Sequence, residues 1–441
     1  MANNFADLYE HSADAMPDRV AVIEGDRELS FAELDANANR LAHYLASIGV
    51  RTGTHVGFQM HNGIATLETL IACFKIRAVP ININYRYRAD ELRYVYDNAD
   101  LEVLIYHDTY AEAVREAAAQ VESLRTRIVV GESDSGAVPY TEALAAGSPD
   151  RDFGPRSAED LFMMYTGGTT GLPKGVMWRQ EDMWRVLGGG INFVTGDRIE
   201  DEWQQAKTGA GNAQLVRYPI PPLIHGGSQC AVFHSLFDGG KAIMLPEFSG
   251  HGVWQAIDKH TVNLIFITGD AMARPMLDAL REGNPETGAP YQHSNLWAMA
   301  SSAALFSPTI KDQFMELLTT TMITDSIGSS ETGFGGLAVV AKGQTHTGGP
   351  RVKIDASTEV LHDDGTPVTP GSGEIGFIAR KGHIPLGYYG DEAKTKATFK
   401  EFNGVRYSIP GDYARVEEDG TVTMLGRGSV SINSGGEKIY P

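Results

Sequence analysis

Apolar residues recur at helical spacing through "LSFAELDANANRLAHYLASIGV", where Phe31, Leu34, Ala38, Leu41, Leu45 and Ile48 fall on one stripe of a 3.6-residue repeat. Ser30 and Glu33 precede that stripe at capping-box spacing, and Gly49 offers a left-handed end. The period then changes. "HVGFQM", "AVPININ", "LEVLIY" and "RTRIVVG" are short apolar runs that predict strands, with helices through "ATLETLIACFKI" and "DTYAEAVREAAAQVESL" between them. The alternation resumes after residue 157 with "LFMMYT", a helix from about Trp178 to Leu187, and the runs "KAIMLP", "VNLIFIT" and "LWAMAS". Strands alternating with helices predict parallel α/β sheets flanked by helices on both faces. Residues 191–217 are polar and aperiodic, and are expected to form a long surface excursion. From about residue 350, "VKIDASTEVLHDDGTPVTPGSGEIGFIAR" has short alternating runs and Asp-Gly or Pro-Gly turns, which predict a small antiparallel sheet or barrel.

At 441 residues the chain is too long for one hydrophobic core, and about two to four lobes are expected. Its 37 basic and 56 acidic side chains give a net charge of −19, which argues against a nucleic-acid or anionic-membrane surface. Cys73 and Cys230 lie in apolar surroundings and read as buried thiols. The N-terminal stretch has no signal pattern, and Lys75, Arg77 and Pro80 interrupt the longest apolar stretch. A cytoplasmic protein without an integral membrane span is expected.

The chemistry concentrates in "YTGGTTGLPKGV", Tyr165 to Val176. Gly167, Gly168 and Gly171 free backbone amides to turn toward an anion, and Thr166, Thr169 and Thr170 add hydroxyls. Lys174 supplies a mobile positive charge for terminal phosphates. Pro173 before this lysine and Gly175 after it rule out a Walker A loop. The loop is expected to follow a strand and precede a helix, whose N-terminus would add positive potential. "GFGGLA", Gly333 to Ala338, fits a dinucleotide fingerprint only formally, because strand-like "VVAKG" follows it. HExxH, GxSxG and CxxC are absent, and the 13 histidines have no ligand spacing. Downstream, "TDSIGSSETG" offers Glu331 as a Mg²⁺ carboxylate, while Asp412 and Arg427 could complete a nucleoside site.

In this order the motifs resemble the adenylate-forming superfamily of acyl-CoA synthetases, nonribosomal peptide adenylation domains and luciferase-like enzymes. The resemblance covers essentially the whole chain. It implies a large N-terminal domain, residues 1–428, with two doubly wound sheets in lobes over about 1–345 and a small antiparallel β-barrel over about 346–428. Residues 429–441 would be a hinge and the stub of a C-terminal domain absent from a truncated chain, which would impair turnover. It further implies that ATP is held by the glycine-rich loop and Lys174, and Mg²⁺ by Glu331. Ser330 would meet the α-phosphate, and Asp412 and Arg427 the ribose. Ser301, Ser302, Ala303 and Ala304 would flank the adenine with Asp325, Ser326, Ile327, Gly328 and Ser329. His225 would lie near the substrate carboxylate. Glu331, Ser330, Lys174 and His225 are thus the expected catalytic set.

Three positions depart from the usual pattern. Ile327 replaces an aromatic residue, Ser330 a threonine, and Ser429 the usual hinge residue. "KGVMWRQEDMWRVL", "RYPIPPLIHGGSQ" and "ITGDAMARP" narrow the resemblance to actinobacterial ligases of steroid side-chain acids. The implied reaction joins a large apolar carboxylic acid to coenzyme A, with long-chain fatty acids as the alternative substrate. A non-catalytic nucleotide-binding module is the alternative of another class. Luciferin oxidation shares the nucleotide motifs and needs an assay with luciferin to separate it. Gly226, where amino-acid-activating relatives carry an aspartate, disfavours amino acids.

Overall fold

The structure is a computed structural model that describes residues 4–167, 172–192, 195–343 and 349–427, with the backbone of strands Ile432–Ser434 and Glu437–Ile439. The first predicted helix spans Phe31–Ser47, and its capping box is complete: the Ser30 side chain accepts from Glu33 N while Glu33 accepts from Ser30 N. Gly49 follows at φ +96°, the left-handed conformation that glycine adopts without a Cβ clash.

Two large sheets organise the described chain. One has eight strands, and its parallel part runs from Leu161–Thr166 through Val79–Asn82, His55–Gln59, Val103–His107 and Thr126–Val130 to Val138–Pro139. The other has fifteen, and its parallel centre is Val20–Glu24, Lys241–Met244, Val216–Pro219, Leu264–Ile267, Ala298–Ser301 and Met322–Ser329. Beyond Met322–Ser329 this sheet turns antiparallel through Gly333–Val339 and Arg351–Ile354. The strands after residue 350 therefore continue an existing sheet, and their pairings form an open path among the described residues. Gly333–Val339 being a strand removes the dinucleotide fingerprint. The α/β class expected from the pattern holds.

Between the sheets lies a core built by helices Phe5–Ala15, Phe31–Ser47, Ile64–Lys75 and Gly226–Phe237. Phe5 sits at its centre, its ring 5.1–5.3 Å from those of Phe74, Phe162, Phe233 and Phe237. Lys75 is 1% exposed and donates to Glu10 and Asp35, while Arg151 and Arg156 close the same network from residues beyond the sheet. Both cysteines are buried and free, and burial pushes their thiols well above the usual range. No helix of the described residues is long and apolar enough to cross a membrane.

Two expectations need correction. Residues 191–217 are not only a surface excursion: they include helix Gln204–Ala210 and the start of the central strand Val216–Pro219. Gln205 is buried because it accepts from Trp184 Nε1 at 2.6 Å and donates to Gly188 O at 3.0 Å. A buried but satisfied polar side chain leaves no apolar periodicity to read. The glycine-rich loop leads into the strand Lys174–Arg179, antiparallel to Leu161–Thr166, and the helix begins only at Gln180. Thr166 and Lys174 are partners across a hairpin, so the helix that begins at Gln180 does not directly follow the loop.

Candidate active site

Hairpin register sets Thr166 directly opposite Lys174. Gly167 is the last described residue before the bend; Gly168, Thr169, Thr170 and Gly171 lie outside the described residues. Lys174 forms an ion pair with Asp391, and both side chains are about one-quarter exposed. This contact holds the Asp391 carboxyl below the usual carboxylate range, chiefly through the Lys174 hydrogen bond.

The turn that carries Ser330 and Glu331 joins the antiparallel strands Met322–Ser329 and Gly333–Val339. Gly328 is required there, since a Cβ would lie 2.1 Å from Gly333 O. Thr332 Oγ1 accepts from Ser329 N at 3.0 Å and braces the turn. The buried Trp178, on the same strand as Lys174, donates from Nε1 to Ser330 O at 2.8 Å. Tyr388 donates its hydroxyl to Glu331 Oε1 at 2.9 Å, and Ser408 donates to Glu331 O at 2.6 Å. The strand Gly387–Tyr388 is itself paired with Lys174–Arg179. The strand that carries Lys174 is thus tied, through Trp178 and Tyr388, to the turn that carries Ser330 and Glu331.

Strands Ala298–Ser301 and Met322–Ser329 run parallel with Ser301 opposite Asp325. Ser302 Oγ donates to Ser326 O at 3.1 Å, and Ser326 Oγ donates to Ser301 O at 3.3 Å. Ala303 sits at φ +66°, rare for a residue with a Cβ. Burial raises the Asp325 carboxyl even though Lys311 is ion-paired with it. Ile327 packs on the apolar cluster of Val360, Ile378 and Ala414. Asp412 opens the strand Asp412–Val416 and is register-paired with Arg427 at the end of Val422–Arg427.

His225 immediately precedes helix Gly226–Phe237. Asn82 fixes its approach: the buried amide donates to Tyr165 O and Ile224 O at 2.8 and 2.6 Å, and accepts from Tyr165 N at 2.7 Å. The segments before Thr166 and His225 are therefore clamped by one side chain. A Cβ on Gly226 would fall 1.7 Å from Met164 Sδ, so that position has no room for a side chain unless Met164 moves.

Sequence reasoning missed Tyr388, Asp391, Ser408 and Asn82. Asp391 had a local signal, an aspartate opening the helical "DEAKT", but its partner lies 217 residues away.

Residues 9–389 match the model of the AMP-binding enzyme family. The chain belongs to that family. Among its relatives is a 3-oxocholest-4-en-26-oate–CoA ligase of Rhodococcus rhodochrous, 63% identical over 447 residues, covering all of this chain and 80% of the relative. A medium/long-chain-fatty-acid–CoA/3-oxocholest-4-en-26-oate–CoA ligase of Mycobacterium tuberculosis is 55% identical, covering all of this chain and 81% of that one. A family fold also aligns with the solved anthranilate CoA ligase AuaEII in complex with anthranoyl-AMP, at TM-score 0.83 and 19% identity, over 99% of this chain and 80% of that one. The N-terminal domain of FACL13 from Mycobacterium tuberculosis aligns at TM-score 0.80 and 20% identity, over 97% of this chain and all of that one. The resemblance drawn from the motifs and the acid–CoA ligase class agree with these relatives.

Proposed function

We propose that this chain is an AMP-forming acid–CoA ligase whose acid is a steroid side-chain carboxylate. The observation that carries the substrate is the 63% identity, across the whole chain, to a ligase named for such an acid. Medium- and long-chain fatty acids are the second reading, favoured by the name of the 55%-identical relatives. The Gly226–Met164 contact argues against amino acids, because an acid to meet a substrate ammonium has no space there. A cytoplasmic setting, where ATP and coenzyme A are at hand, suits this chemistry.

In the reaction the substrate carboxylate attacks the α-phosphorus of ATP and displaces pyrophosphate, leaving an acyl-adenylate. The CoA thiolate then attacks the acyl carbon, and AMP leaves. Both reactants of the first step are anions, so the protein must hold them in line against their repulsion. Thr166, Thr169, Thr170 and Lys174 would hold the terminal phosphates, with backbone amides freed by Gly167, Gly168 and Gly171. Ser330 would meet the α-phosphate. Asp412 and Arg427 would fix the ribose. Asp325, Ser326, Ile327, Gly328 and Ser329 would line the adenine against Ser301, Ser302, Ala303 and Ala304. His225 would orient the acid. Residues 1–428 would act as the large ATP- and acyl-binding domain.

Among the described residues no cluster of three metal-ligating side chains occurs, whereas Glu331 presents one carboxylate oriented by Tyr388. One carboxylate fits Mg²⁺ that arrives with the nucleotide and keeps phosphate and water ligands. When bound, the ion would neutralise phosphate charge.

Two measurements test this reading. A thermal-shift panel should show a polycyclic steroid side-chain acid stabilising the chain in the presence of ATP, because a ligand of the folded state raises its stability by mass action. Stabilisation by palmitate alone would transfer the assignment to fatty acids. ATP binding without pyrophosphate release for any acid of the panel would leave only the nucleotide-binding module. Separately, Asp412→Ala should weaken AMP and ATP alike, by about 1.5–3 kcal/mol for charge-assisted hydrogen bonds to a sugar. Unchanged AMP affinity in calorimetry would remove Asp412 from the site.

A further inference from the structure

Lys174 is already provided with a carboxylate of its own. Leu386 N donates to Met177 O and Tyr389 N to Gly175 O, both at 2.8 Å, so residues 386–389 are zipped along the lysine's strand. Gly390 then turns the chain at φ +65° and returns Asp391 to the Lys174 ammonium. The aspartate cannot swing away freely. Its Oδ1 accepts from Lys394 N at 2.8 Å as the cap of helix Glu392–Thr398, which leaves Oδ2 for the lysine. With both side chains about one-quarter exposed, the pair is open to a ligand on one side.

Helix capping does not account for this choice of residue. Asparagine caps as well as aspartate and carries no charge. What aspartate adds is a negative charge beside the cation expected to grip pyrophosphate. An ammonium has three donors, so one can stay on Asp391 while the others reach phosphate oxygens. The carboxylate both aims the ammonium and cancels much of its field. An uncompensated lysine would hold the terminal phosphates harder, in the product as well as in ATP.

We propose that Asp391 is a positioning residue for Lys174 that moderates its hold on the terminal phosphates and so eases the departure of pyrophosphate. This rests on the reading that Lys174 meets those phosphates. The step itself is unchanged: the bond from the α-phosphorus to the bridging oxygen breaks, and pyrophosphate leaves with that electron pair.

The test is Asp391→Asn in the 441-residue chain, with Asp391→Ser as a second neutral cap and Lys174→Ala as the control. Binding of pyrophosphate and of AMP, each with Mg²⁺, is measured by calorimetry, and folding by thermal denaturation. Both neutral caps should keep the thermal midpoint and the AMP affinity, and tighten pyrophosphate about 3–10-fold, the range for removing one partly solvated charge near a phosphate. A merely structural aspartate would change the midpoint without separating the two ligands. If Lys174→Ala weakens pyrophosphate while the neutral caps leave it unchanged or weaker, the moderating role is wrong although Lys174 keeps its place. If Lys174→Ala leaves pyrophosphate binding intact, the reading of Lys174 fails and this inference with it.

Discussion

Lys174→Ala weakens ATP binding about 10–100-fold and leaves AMP within about twofold, the loss expected for charge-assisted hydrogen bonds to terminal phosphates that AMP lacks. The lysine sits opposite Thr166 at the mouth of the hairpin, and Trp178 on its strand ties that strand to the Ser330–Glu331 turn. Truncation also strips Asp391 of its partner. Part of the loss is therefore repulsion from a newly uncompensated carboxylate, as happens whenever one member of an ion pair is removed. The double variant Lys174→Ala/Asp391→Asn should recover some of the ATP affinity. Calorimetry with both nucleotides checks this; equal losses for ATP and AMP would mean that the hairpin does not face the terminal phosphates.

Lys75→Ala should cost about 3–5 kcal/mol of stability, the scale for breaking a buried ion pair, and lower the thermal midpoint by several degrees. Glu10 and Asp35 are left buried among apolar neighbours, with Arg151 and Arg156 taking up part of the charge. The sign of the pH dependence follows. Burial pushes both carboxyls up, but Lys75 and the arginines outweigh it and hold them below the usual range. Their contribution is complete above the unfolded pKa of about 4 and is lost as pH falls through the folded values. In Lys75→Ala the acid transition should therefore begin at a higher pH. A midpoint change worth less than about 1 kcal/mol, typical of an exposed pair, would refute the role given to this network.

The candidate site was legible in unequal parts. Local signals served well where the physics is local: the Ser30–Glu33 box and the strands around Leu161–Thr166. The order of the glycine-rich loop, the Ser-Glu turn and the Asp412 strand was enough to reach the family. Local reasoning failed where a buried polar group hides the period, as at Gln205, and where strand and helix compete for the same residues, as at Trp178.

What the sequence by itself determined was the α/β class and the kinds of groups available: a glycine-rich loop, a lysine and carboxylates at turns and strand ends. Those follow from periodicity and side-chain chemistry, which act over a few residues. Only the tertiary structure decided who holds whom. Tyr388 reaches Glu331 across 57 residues, Asn82 reaches Ile224 across 142, and Asp391 reaches Lys174 across 217. Such contacts exist because two sheets and their shared core bring distant strands side by side. No spacing along the chain encodes that closure, since the entropy of bringing the ends together is repaid by burial spread over the whole core.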